Sequence, residues 1–160
     1  MKHSKGWINL NRLADKEKCD AAARDALGST SHGTDGPQYT QRCADIMREV
    51  LIHHAPELDK QADLLKPGAR RRSQAIAQFR PNPPLASSSQ VLLFIALTKL
   101  DKTNGMFSFI EVPEDNSIPR SEWKEEEVAM EPGEGVMWRG DCERRIGDGD
   151  GGIILIILYD

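Results

Sequence analysis

Between positions 139 and 145 the chain reads Arg139-Gly140-Asp141-Cys142-Glu143-Arg144-Arg145, which puts three guanidinium groups beside two carboxylates and a thiol. A carboxylate beside arginines can move a proton while a guanidinium steadies developing enolate charge. The same arginines pull a carboxylate's pKa down unless burial opposes them, so a strong base is not guaranteed. Asp141, Glu143 and Arg144 are candidate catalytic groups, with Arg139 beside them for substrate binding. The competing reading is a solvated turn whose exposed ion pairs are each worth little.

Other side chains of the second half join them. Glu111 alternates onto one strand face with Phe107 and Phe109, so an inward orientation makes it a buried candidate catalytic carboxylate and makes the two rings pocket walls. Trp138 either fills a core or offers a flat wall to an aromatic or isoprenoid substrate. Arg80 and Gln90 are candidate substrate contacts, whereas Ser87-Ser88-Ser89 reads by default as a serine-rich loop. Cys142 lies among arginines that would lower its pKa, yet no histidine is near in sequence to act as its base. There is no Gly-x-Ser-x-Gly elbow, so serine nucleophilic catalysis has no specific support.

These residues need elements to hold them. Leu13, Cys19, Ala23 and Leu27 form a rough helical stripe that the Gly28-to-Gly33 run breaks. A second helix is predicted with Pro37 near its first turn and Tyr39, Cys43, Ile46, Met47, Val50 and Leu51 on one face, ending at His53, His54 and Pro56. From Ser73 the period changes to strand, and Val91 to Leu97 is apolar on both faces, as in a buried central strand. Asn104-Gly105 then predicts a hairpin turn to a partner strand at 106–112. Strands follow at 125–130, 135–139 and 153–159, separated by turn residues around Pro132-Gly133 and 147–152. The expected architecture is one domain, mainly β with N-terminal helices, in which a helical part (1–72) packs on an antiparallel barrel or sandwich (73–160).

A length of 160 residues suits one core. No run approaches the roughly 18 apolar residues of a membrane span, and the N-terminus lacks a signal-like apolar stretch, so a cytoplasmic protein without membrane partners is expected. Cys19, Cys43 and Cys142 form no CxxC pair and are read as free thiols. Residues 1–80 carry 14 basic and 10 acidic side chains, residues 81–160 carry 7 and 15. That polarity argues against nucleic acid on the second half. Arg70-Arg71-Arg72 is the one basic run, read as a solvated turn.

Two stretches resemble a known family. Leu-Thr-Lys-Leu-Asp-Lys-Thr-Asn-Gly-Met-Phe-Ser-Phe-Ile-Glu-Val-Pro (97–113) looks like the strand, Asn-Gly turn and "FIPGSH"-like strand of phytanoyl-CoA dioxygenase-like proteins. Met-Glu-Pro-Gly-Glu-Gly-Val-Met-Trp-Arg-Gly-Asp (130–141) resembles the hairpin that leads into their second metal-binding histidine. The resemblance spans roughly residues 74–159. It implies a double-stranded β-helix, a cupin-like or jelly-roll barrel, with iron held by an H-x-D/E pair and a distant histidine.

The chain departs from that pattern in three places. Its histidines are His3, His32, His53 and His54, none with Asp or Glu two residues on and none later in the chain. The segment expected to carry the H-x-D pair reads Pro84-Leu85-Ala86-Ser87-Ser88-Ser89-Gln90, and the segment of the distal histidine reads Cys142-Glu143-Arg144-Arg145. Serine is a poor iron ligand and arginine stays protonated. The late strand 153–159 has no basic residue to clamp 2-oxoglutarate. The expectation is a metal-free, cofactor-free isomerase or cyclase acting on a small hydrophobic metabolite, with a homodimer suggested by the apolar helix stripe. Two alternatives are kept: a non-catalytic binding or scaffold protein of degenerate dioxygenase fold, and an iron oxygenase using His53 or His54 with Asp141 or Glu143.

Overall fold

The computed structural model describes residues 6–28, 37–79, 90–147 and 149–160. Apolar residues on both faces of its central strands demand a layer on each side, and the chain supplies helices on one and a second sheet on the other. Five strands form the large sheet in the order β1 (Trp7–Leu10), β6 (Gly135–Arg139), β3 (Val91–Ala96), β8 (Ile153–Tyr159) and β2 (Arg71–Gln78). Three form the small sheet in the order β5 (Lys124–Glu127), β4 (Ser108–Glu111) and β7 (Arg144–Arg145). All pairings are antiparallel.

Alternation along each central strand sorts side chains between two cores. On β3, Val91, Leu93 and Ile95 join the helix-side core, while Phe94 and Ala96 face the small sheet. On β8, Ile153, Leu155, Ile157 and Tyr159 go one way and Ile154 goes the other. On β6, Met137 faces the helices and Val136 and Trp138 the small sheet.

The helix side is covered by α1 (Lys16–Gly28) and α2 (Gln41–Leu65). Helix α1 ends at Gly28 as expected, but its buried stripe is Cys19, Ala22, Ala23 and Ala26, leaving Leu27 42% exposed. Small side chains there let the two helices approach closely. Helix α2 starts four residues after Pro37 and runs through Pro56 instead of ending there. Proline removes one internal hydrogen bond, yet Leu58, Ala62 and Leu65 continue the buried stripe of Cys43, Ile46, Met47 and Val50, and that burial carries the helix past the break. The buried residues of that stripe pack into the core against the chain's own sheet.

Three further expectations are corrected. Strand β1 lies in the segment read as helical; it is only four residues long, and its partner β6 is more than a hundred residues away. Arg71 and Arg72 belong to β2 instead of a turn, although both remain exposed. The Asn104-Gly105 turn exists, capped by Asp101 and with Gly105 at φ 108°, but it does not close a hairpin. Strand β3 pairs with β6 and β8, whereas β4 pairs with β5 and β7, so the turn carries the chain from one sheet to the other. Both edges of β3 are already paired, with β6 and β8, so β4 finds no free edge there and lies in the other layer. The turn at Pro132-Gly133 holds as expected: Gly133 has φ 94°, and a Cβ there would fall 2.1 Å from the Ala14 carbonyl oxygen.

Candidate functional site

The face between the sheets is lined with rings. Trp7, Phe79, Phe94, Phe107, Phe109 and Trp138 are each at most 6% exposed. Their neighbouring ring centroids lie 5.0 to 6.1 Å apart, mostly edge to face, with Trp7 stacked on Phe109. Such pairs add stability beyond their area. Phe107, Phe109 and Trp138, expected as pocket walls or core, fill this inter-sheet core.

Into it reaches Arg144. Antiparallel register sets Arg144 opposite Phe109 on β4, and directly opposite residues share a face, so the guanidinium points inward. Its Cζ lies 4.8 Å from the Trp138 ring centroid and 5.6 Å from that of Phe107. Nη1 donates to the carbonyl oxygens of Gly140 and Cys142. Burial pulls its pKa below the ordinary arginine value, with Cys142 opposing; it remains a cation at neutral pH. Among the described residues it has no carboxylate partner. Beneath it, the Trp138 Nε1–H is buried without an acceptor among the described residues, a loss of about 1–3 kcal/mol relative to a satisfied donor.

The rest of the sequence-predicted cluster is dispersed. Arg139 lies at the end of β6 facing the helices, where Nη1 donates to the Leu65 carbonyl at the C-terminus of α2 and Nε donates to Asp141. Arg139 and Asp141 therefore act on a helix end, where a cation is favoured. Glu143 precedes Arg144, faces the other side of β7 and pairs with Arg120. Arg145 pairs with Glu125 on that same outer face. Cys142 donates from Sγ to the Gly6 carbonyl, and burial pushing its thiol pKa up outweighs the arginines pulling it down, the reverse of an activated nucleophile.

Glu111 is half-buried, two residues beyond Phe109 on the same face, and lines a cavity of about 210 Å³ with Pro113, Ile118, Glu122, Trp123 and Lys124. Gln90 precedes β3, and its carbonyl accepts from Gly140 N. Arg80 and Ser87 to Ser89 lie outside the described residues.

Sequence reading missed two features. Glu126, opposite Phe109 on β5, accepts from Trp7 Nε1 at 3.0 Å and Asn9 Nδ2 at 3.2 Å, tying the two sheets together. Alternation within Glu125-Glu126-Glu127 marks the middle residue as the one facing inward, but that signal needs the strand β1 that supplies its donors. The second is an apolar strip beside Trp138. Leu92 is directly opposite Trp138, Leu158 is opposite Leu92, and Ile156 lies two residues back along β8. All three alternate onto the inner face and are only partly buried.

The iron implied by the family resemblance does not fit these residues. A guanidinium occupies the inner face in the segment where the distal histidine is expected, and like charge repels a metal cation. Among the described residues no three His, Cys, Asp or Glu side chains come together as a metal site. His53 and His54 sit on α2 about three turns before Leu65, the end at which Arg139 and Asp141 meet the helix, and they form no metal-ligand cluster with Asp141 or Glu143.

No protein-family model matches the chain, and no curated protein sequence matches it. Solved structures do. The non-heme alpha ketoglutarate dependent epimerase SnoN from nogalamycin biosynthesis superposes with a TM-score of 0.61 at 13% identity, covering 98% of this chain and 78% of its own. The non-heme monooxygenase ThoJ gives 0.61 at 16%, covering 98% and 74%. The carbocyclase SnoK, also alpha ketoglutarate dependent and from nogalamycin biosynthesis, gives 0.59 at 16%, covering 98% and 79%. The chain has a dioxygenase-like fold, mainly β, with two helices and antiparallel sheets.

Proposed function

We propose that the chain is a double-stranded β-helix protein of the phytanoyl-CoA dioxygenase type that has exchanged iron chemistry for metal-free isomerase or cyclase chemistry on a small hydrophobic metabolite. The observation that carries this reading is Arg144: a cation with no carboxylate partner among the described residues, held over Trp138 and Phe107 beside a partly open apolar strip. The epimerase and carbocyclase of like fold lend support to the reaction class, although both are described as alpha ketoglutarate dependent.

The chemistry is a proton shift without net oxidation. A carboxylate removes a proton from carbon next to a carbonyl, the C–H electron pair moves into the new C=C bond, and the carbonyl oxygen becomes an enolate oxygen held by Arg144. Returning the proton to another carbon or to the other face completes isomerisation or epimerisation. Glu111 is the carboxylate assigned to this step, two residues beyond Phe109 on the strand that sets Arg144 in register, although it lines a cavity of its own with Trp123 and Lys124; Asp141 and Glu143 are engaged elsewhere by Arg139 and Arg120.

The test is protein dialysed against a chelator and incubated in D₂O with a panel of hydrophobic ketones, read by mass spectrometry. Deuterium enters next to the carbonyl with the native chain, is lost with Arg144→Ala and falls with Glu111→Gln. Turnover seen only with added iron and 2-oxoglutarate overturns the reading. The aromatic filling between the sheets favours a second reading, a binding protein without turnover; ligands that bind through Arg144 and never exchange would establish it.

A further inference from the structure

We infer that Arg144 and the indole N–H of Trp138 together recognise a delocalised oxyanion, a carboxylate or 1,3-dicarbonyl enolate, carried on a flat apolar body that lies along Leu92, Ile156 and Leu158. This rests on the site proposed above and names the class of molecule it takes. Two independent observations point to an anion. The first is a charge imbalance among the described residues: Arg139, Arg120 and Arg145 each have a carboxylate, while Arg144, the one that turns inward, donates to the neutral carbonyls of Gly140 and Cys142 and meets no carboxylate there. A half-buried cation without a counter-ion is a cost that an anionic ligand relieves.

The second is the Trp138 Nε1–H, 2% exposed as a residue and without an acceptor among the described residues. Buried donors are almost always paired in folded chains. The guanidinium stands 4.8 Å from the centroid of that same indole, so the two groups belong to one stacked pair, which the inferred two-oxygen head group would bridge. A planar guanidinium matches a carboxylate or enolate with two parallel hydrogen bonds.

The shape of the body follows from the large sheet. Trp138, Leu92 and Leu158 are cross-strand neighbours in one row, so the apolar strip begins where the two donors end. No polar side chain interrupts that row, so specificity comes from the head group and affinity from the flat apolar contact.

Calorimetric titration tests this with 2-naphthoate, its neutral isostere 2-naphthamide, and benzoylacetone as the enolate source. The acid binds about tenfold or more tightly than the amide, in keeping with a hydrogen bond to a charged group. Arg144→Gln abolishes that preference, and Trp138→Phe, which keeps a ring in place, weakens the acid by about fivefold. Equal binding of acid and amide, a preference that survives Arg144→Gln, or naphthoate affinity unmoved by Trp138→Phe overturns the inference. Should Arg144→Gln not fold, Trp138→Phe alone decides. Tight anion binding without deuterium exchange removes the isomerase reading and leaves this one standing; exchange on neutral ketones without anion preference does the reverse.

Discussion

Cys19 and Tyr159 are buried on the helix side of the large sheet, and burial pushes each pKa up to about 12. Both groups are neutral when protonated, so the folded chain holds their protons more tightly than the unfolded chain does. Their contribution is complete below the unfolded values near 9 and 10 and is lost as pH rises toward 12. Each unit of displacement is worth about 1.4 kcal/mol, so urea midpoints are expected to fall steeply between pH 9 and 12. Cys19 should resist alkylation by iodoacetamide at pH 8 until denaturant is added. Rapid native labelling, read by mass spectrometry, would contradict its burial. The candidate site was only partly legible at this scale. Arg144 stood out by type, but which of its neighbours faced the same way depended on the two-residue strand β7, too short to leave a periodic signal.

Within the elements, the long helix α2 carries a removable defect. Pro56 is exposed in the helix interior and cannot donate to the Ile52 carbonyl. Pro56→Ala restores that bond and relieves the ring's clash, and is expected to stabilise the chain by about 1–3 kcal/mol, seen as a higher urea midpoint at unchanged slope. The opposite outcome is expected of Glu126→Ala, which leaves the buried Trp7 N–H without its acceptor and unties β1 from β5; a loss of about 1–3 kcal/mol should appear in the same measurement. These elements differ in how far local sequence reveals them. Continuous apolar runs announced β3 and β8, and glycine announced the end of α1. Strand β1 has only Trp-Ile-Asn-Leu to declare it and is stabilised by pairing across the whole chain. The Asn104-Gly105 turn was visible, but its change of sheet is decided by layers that no local window contains.

Across the whole molecule, the two cores divide the work: the helix-side core gives α1 and α2 their stability, and the inter-sheet core determines what the mouth of the sandwich can hold. A dioxygenase-like fold can support iron only if its inner face supplies imidazole or carboxylate ligands, and here that face supplies six rings and a guanidinium. The consequence is measurable without a substrate. A ligand at a hundred times its dissociation constant stabilises the native state by about 2.7 kcal/mol, which for a chain of this size raises Tm by roughly 5 °C or more. Ferrous iron with 2-oxoglutarate, added anaerobically, is expected to leave Tm unchanged, because Arg144 disfavours the metal and no clamp residue holds the cosubstrate on β8. The flat carboxylate 2-naphthoate is expected to raise Tm, and Arg144→Gln to cancel that rise. A shift with iron and 2-oxoglutarate would mean that ligands converge on the metal despite the cation, and that oxygenation, not proton transfer, is the chemistry of this fold.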